Sequence, residues 1–271
     1  MKNNLVIIFI GFFLILGVIF ALQKPINISY ISNEQVPVVL QDQTTEIVDY
    51  YLTMPFKNIT LLADTNINDV NITVNDTTGI SVFDAINIKS KNNWYQALIT
   101  AINGNVLTLN TPIDCCYNTS SLVEIAKWNM NLDASSEKMI FYITGLEEQG
   151  FDITRVLFSI TDDDPMDSST FGGLPALSNG VILRQTNGRN KNIFSVYNNA
   201  GFSERAYDVN YVDRAPAGEY GLIVRRTFAG QEKNGVSVRL SDESDKLEVI
   251  IQDDLTDLTK FAVVAQGHFL D

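Results

Sequence analysis

NGVSVRLSDESDKLEVIIQDDLTDLTKFAVVAQ, residues 234–266, decides the fold class. Val236, Val238 and Leu240 stand two apart, as do Leu247, Val249 and Ile251, and then Phe261, Val263 and Ala265. Successive side chains of an extended strand point to opposite sides, so each trio occupies one face of a strand. Asn234-Gly235 and the Ser/Asp clusters between the trios are turn residues, because Asn and Gly tolerate positive φ and Asp and Ser bond their own backbone. The stretch therefore reads as three short antiparallel strands, each with one face to bury.

The same pattern continues outward. Between 131 and 271 it marks nine strands: Lys138–Thr144, Ile153–Thr161, Gly180–Thr186, Asn192–Asn198, Glu204–Tyr211, Tyr220–Thr227, Val236–Ser241, Leu247–Asp253 and Lys260–Gln266. Nine short strands at regular intervals predict an antiparallel β-sandwich, jelly-roll-like, over 131–271. The polar stretch Asn129–Glu137 marks its boundary. Residues 57–130 predict a small β barrel or sandwich, with strands at Asn71–Asn75, Ala85–Lys89, Tyr95–Ile102, Val106–Leu109 and Leu122–Trp128 and an Asn103-Gly104 hairpin turn. Residues 25–56 form a lead-in with strands at Val36–Leu40 and Glu46–Thr53, either a stalk or a segment packed on the next domain. Past Gln23 nothing sustains the i, i+3, i+4, i+7 spacing of a helix, so the part after the leader is all-β.

Residues 1–24 differ. Leu5–Leu22 is an unbroken apolar run, LVIIFIGFFLILGVIFAL, between Lys2 and Lys24. As a helix it would cover roughly 27 Å, close to the roughly 30 Å hydrocarbon core. Its fifteen Leu, Ile, Val and Phe residues would favour insertion by on the order of 5 to 9 kcal/mol at most. A cleaved signal peptide is the rival reading, but its apolar part usually spans about 7 to 15 residues and ends in a small-x-small site, which Phe20-Ala21-Leu22-Gln23 does not supply. The expectation is a transmembrane anchor with the C-terminal part outside, where Gly17 and Ala21 offer a small-xxx-small contact.

With 32 acidic and 19 basic residues the formal charge is −13, so the field around the chain repels phosphate backbones and argues against nucleic acid. The 45% hydrophobic content is enough to build real cores. Signals for chemistry are sparse. His268 stands alone near the C-terminus, too isolated for a Ser-His-Asp, Cys-His or His-based zinc site. Asp162-Asp163-Asp164-Pro165-Met166-Asp167 is the densest acidic run; it reads as a solvated turn, with a surface calcium site as the rival, although Met166 falls where an EF-hand needs its third ligand. Cys115 and Cys116 are adjacent, so a bond between them would be strained, and two reduced thiols in a turn are expected, with a strained vicinal bond or an intermolecular link as the rival reading. Gly172-Gly173 lacks the Gly-Lys-Ser/Thr of a phosphate loop. Arg225-Arg226 place one guanidinium on each face of a strand, for ion pairing. Sequons at Asn27, Asn58, Asn71, Asn75 and Asn118 are a by-product of Asn-rich usage. No catalytic residue, cofactor or metal site is expected, and Trp94, Tyr95, Tyr207 and Tyr211 are the aromatics that could stack on a sugar if they are not core.

The stretch Val74-Asn-Asp-Thr-Thr-Gly-Ile-Ser-Val-Phe-Asp-Ala-Ile-Asn-Ile88, continued by Ala97-Leu-Ile-Thr-Ala-Ile-Asn-Gly-Asn-Val-Leu-Thr-Leu-Asn-Thr-Pro-Ile-Asp114, resembles a small β module of bacteriophage virion proteins. That module places a Thr-Gly-Phe-x-x-Gly-Asp-x-Ile strand pair before an Ile-x-Gly-Asn-x-Leu-Thr-Leu hairpin. The chain departs from it at Phe83-Asp84, where the family usually has Gly-Asp. Gly172-Gly-Leu-Pro-Ala-Leu177, Arg214-Ala-Pro-Ala-Gly-Glu-Tyr-Gly221 and Gln252-Asp-Asp-Leu255 are similar to segments of marine phage structural proteins. The resemblance implies packing in a virion or attachment to a host surface, alongside other virion or surface proteins and as a homo-oligomer, and brings no functional residues with it. A cell-surface adhesin or glycan-binding β-sandwich is the alternative.

Overall fold

The two-residue period is realised almost everywhere it was read. The computed structural model describes residues 47–206, 208–214, 219–228 and 238–270; the run Leu5–Leu22, the expected strand Val36–Leu40, Tyr207 and the first two residues of the expected strand Val236–Ser241 lie outside these. Among the described residues no helix is long and apolar enough to cross a membrane.

Among the described residues sixteen strands form antiparallel sheets. One sheet contains β1 (Val48–Tyr51), β16 (Lys260–Phe269), β9 (Phe151–Asp162), β13 (Glu219–Thr227) and β12 (Asp208–Arg214) in that spatial order, with β14 (Val238–Leu240) also paired to β9. The facing sheet runs β11 (Asn190–Val196), β10 (Val181–Thr186), β15 (Lys246–Ile251), β8 (Met139–Thr144). The apolar faces meet in one core, where Val238, Leu240, Leu247, Val249, Ile251, Phe261, Val263 and Ala265 are all buried. β9 is the spine. β16 pairs along its length on one side, and β14 and β13 share the other. At the bulge where β16 crosses β9, a Cβ on Gly267 would collide with the Asp152 carbonyl, so only glycine permits this approach.

Residues 54–127 build a second core. Their strands are β2 (Met54–Ile59), β3 (Asn71–Thr73), β4 (Ala85–Lys89), β5 (Trp94–Asn103), β6 (Val106–Leu109) and β7 (Leu122–Lys127). They pair in the order β2-β7-β4-β5-β6-β3. The sheet closes on itself through the Leu61/Val74 bridge, where Leu62 N–H donates to Thr73 O (2.9 Å) and Asn75 N–H to Thr60 O (3.1 Å). The result is a small six-stranded barrel filled by side chains such as Ile72, Ile86, Ile88, Ile99, Leu107 and Ile125, and closure removes the sheet edges.

Over 48–56 the lead-in follows its packed reading: β1 is an outer strand of the sandwich sheet and β2 enters the barrel, which therefore starts at Met54. β2 lacks a clean alternation because Phe56 is the extra residue of a bulge against β7. The strand expected at Glu204–Tyr211 begins only at Asp208, because Asn199–Arg205 is a short helix, α1. Its N-cap, Asn198, accepts from the Gly201 N–H, and Phe202 packs on Phe158 and Phe171 to close one end of the core.

Turns repeat one device. In Asp133-Ala-Ser, Asp167-Ser-Ser, Asp242-Glu-Ser and Asp254-Leu-Thr the carboxylate accepts both the backbone N–H and the hydroxyl two residues on, at 2.5–3.0 Å. These bonds hold the Asp133, Asp167 and Asp242 carboxyls below the usual carboxylate range. Lys57 and Thr78 bring Asp76 down to about 2. Asp162 goes the other way, raised by burial. A depressed folded-state pKa stabilises the fold above the unfolded pKa and is lost as pH falls through the folded value. Urea midpoints should therefore hold from pH 7 to about pH 5 and fall between about pH 4 and pH 2. A midpoint that rises on acidification over that window would show that Asp162 outweighs the turns.

Candidate binding site

His268 lies half-buried on β16 opposite Asp152, but both Asp152 oxygens are taken by Arg239 (2.9 and 2.7 Å), so no His-carboxylate pair forms. The acidic run does not converge: Asp162 accepts from the backbone of Asp163 and Gly173, whereas Asp167 accepts from Ser169 and Thr170. Among the described residues no cluster of His, Cys, Asp or Glu could hold a metal ion. Cys115 and Cys116 are free thiols, Cys115 accepting from Asn93 Nδ2 at 3.4 Å. Arg225 faces Asp208 at 3.6 Å and Arg226 donates to the Arg205 carbonyl at 2.5 Å. Asn58, Asn71, Asn75 and Asn118 are all exposed, and Asn75 and Asn118 accept backbone N–H bonds through their side chains. Trp94 and Tyr95 are buried, which removes them as sugar platforms; Tyr211 is 49% exposed.

What the structure does bring together is a groove of about 730 Å³ between barrel and sandwich, within the 300–1,000 Å³ typical of ligand sites. Four pieces of chain line it: the β4–β5 turn (89–92), the approach to β7 with Glu124, the end of β8 with its following loop, and the β14–β15 turn. No local motif announces it, because its walls are up to 157 residues apart, from Lys89 to Lys246.

Its floor is an ion pair. Lys89 Nζ lies 2.9 Å from Glu124 Oε2, with side chains only 14% and 12% exposed. That oxygen is enclosed and accepts no well-aligned hydrogen bond, so the Lys89 charge is what compensates its burial. Lys89 also sits 4.7 Å over the Trp94 ring. At one end Lys91 pairs with Glu147 (3.5 Å) and Glu148 (3.1 Å), and the Lys91 carbonyl accepts from Glu148 N–H, tying the barrel turn to the sandwich loop. Opposite them Lys246 Nζ lies 4.4 Å over the Tyr142 ring. Burial, then the charges of Glu124 and Glu248, push the Tyr142 phenol up, so it stays protonated and can donate. The lining carries three lysines (Lys89, Lys91, Lys246) and three glutamates (Glu124, Glu147, Glu243), which cancel in a chain of charge −13.

A second surface feature lies on the barrel. Phe83 adopts φ +72° yet is 66% exposed, with its carbonyl accepting from Trp128 Nε1 at 2.6 Å. Phe56, 43% exposed, lies on the bulge beneath Lys127 at 5.0 Å, and Lys127 pairs with Asp84. Comparison with protein-family models, with curated proteins and with solved structures finds no match.

Removing one member of a buried pair strands the other charge. Lys89→Met keeps a contact with Trp94 but should destabilise by about 3 kcal/mol, whereas Lys89→Met with Glu124→Leu should return to within about 1 kcal/mol of the parent. Urea denaturation of the cycle measures both. Phe83→Gly relieves the left-handed strain, about 1–2 kcal/mol, against a glycine entropy term of about 0.5–1 kcal/mol, so thermal unfolding should show a net stabilisation near 0.5–1 kcal/mol.

Proposed function

We propose that this chain is a structural protein of a phage-like virion, tethered to the virion membrane or cell envelope by Leu5–Leu22, which builds the shell or attaches to a host surface without catalysing a reaction. The observation that carries the reading is strand order. Counting β1, β8, β9, β10, β11, β13, β15 and β16 as one to eight, the sheets run 1-8-3-6 and 2-7-4-5. With β12 and β14 set aside as additions to the first sheet, this order matches a double Greek key and supports a jelly-roll reading, an architecture of viral capsid and lectin domains. The barrel of residues 54–127 is then an insertion between its first and second strands. Phe83 adds support, since the chain adopts a glycine-like conformation where the phage module has Gly-Asp. Neighbouring copies and other envelope proteins are the expected partners. A cell-surface adhesin is the second reading, favoured by the groove, since lectins share the jelly roll.

Quantitative mass spectrometry of purified particles and membranes from the source tests this. The chain should occur at fixed stoichiometry with shell proteins, retain peptides from residues 1–24 and require detergent for release. Soluble chains that start after the leader and are absent from particles would end the proposal.

A further inference from the structure

We infer that the groove between barrel and sandwich binds an uncharged oligosaccharide. This rests on the attachment reading and names the ligand class for it. The argument is one of matched donors and acceptors. Ser120 Oγ donates to Asn118 Oδ1 at 2.5 Å and Ser244 Oγ to Asp242 Oδ1 at 2.6 Å. With their hydrogens engaged inside the protein, both hydroxyl oxygens keep lone pairs that accept. Lys246 Nζ, the Tyr142 phenol and the Asn92 amide supply donors in the same groove.

A phosphate or carboxylate needs donors alone and would meet Glu124, Glu147 and Glu243; an ammonium needs acceptors alone and would meet three lysines. A group that both donates and accepts without carrying charge suits such a mixed lining, and a hydroxyl does both through one atom, so that a ring of them can meet the scattered donors and acceptors that a peptide's fixed amide spacing would not. Lys89 is already matched to Glu124 and Lys91 to Glu147 and Glu148, so a charged ligand at that side of the groove would compete with existing pairs. Pre-formed turns keep the hydroxyls in place before ligand arrives, which lowers the ordering cost of binding.

The test applies the full-length chain in detergent to an array of neutral, sialylated and sulfated glycans, followed by titration calorimetry with the best neutral hit. Neutral glycans should bind, with an affinity that changes little between low and high salt. Tyr142→Phe and Lys246→Ala should each weaken it roughly tenfold, while Tyr211→Ala, outside the groove, leaves it unchanged. Binding confined to anionic glycans, no glycan binding at all, or a Tyr142→Phe variant with parental affinity would overturn the inference. If glycans fail but the chain still adsorbs to host cells, the saccharide proposal falls and attachment stands; loss of the chain from particles and envelopes ends the attachment reading itself.

Discussion

Four residues, Tyr50 to Thr53, hold the two cores in register. Tyr50 and Tyr51 pair with β16, and Leu52 N–H donates to Val263 O. Thr53 then exchanges both backbone bonds with Tyr142 of the opposite sheet. From the barrel side, Gln96 grips Tyr51 through both its N–H (2.6 Å) and its carbonyl (3.0 Å), and Asn87 reaches the Thr53 hydroxyl. Trp94 stacks on Tyr50 at 4.5 Å and its carbonyl accepts the Tyr50 hydroxyl. Tyr50, Leu52 and Thr53 are buried, so their peptide groups must be satisfied, and barrel, first sheet and second sheet together satisfy this segment. The groove exists because the barrel is fixed at that distance from the sandwich.

Acidity looks at first like a property of the surface field, yet much of it is local. Asp133, Asp167, Asp242 and Asp254 close turns, Asp253 accepts from the backbones of Ser178, Asn179 and Gly180, and Asp162 anchors the loop at Gly173. A β protein with many short strands needs many turns, and Asp and Ser supply them cheaply. High negative charge follows from the topology without requiring a cationic partner.

What the sequence made legible tracks this physics. Strands with one wet face were readable, so the residue 238–265 faces emerged at single-residue precision. β2 was missed because Pro55, Lys57 and the Phe56 bulge break its period, and α1 because seven residues hold too few turns for a 3.6 period. Of the two readings of Trp94 and Tyr95 the core one holds, because β5 has a core on each side, so Tyr95 fills the barrel while Trp94 fills the sandwich. The groove was invisible, since it depends on four segments whose meeting is set by non-local pairings such as β1 with β16.

The barrel can sit inside the sandwich's chain path because of one pairing. Met54 and Lys127, the first and last residues of its strands, are register partners, so its ends emerge side by side. An insertion with adjacent ends replaces a loop without prying apart the strands it joins, here β1 and β8, which need come no closer than the Thr53/Tyr142 bridge already brings them. Barrel and sandwich can thus each complete a core while sharing Trp94, Asn87 and Gln96 as the joint. The barrel residues Ser90–Asn92, which line the groove, belong to neither core, so their side chains carry less of the packing than the strands on either side of them.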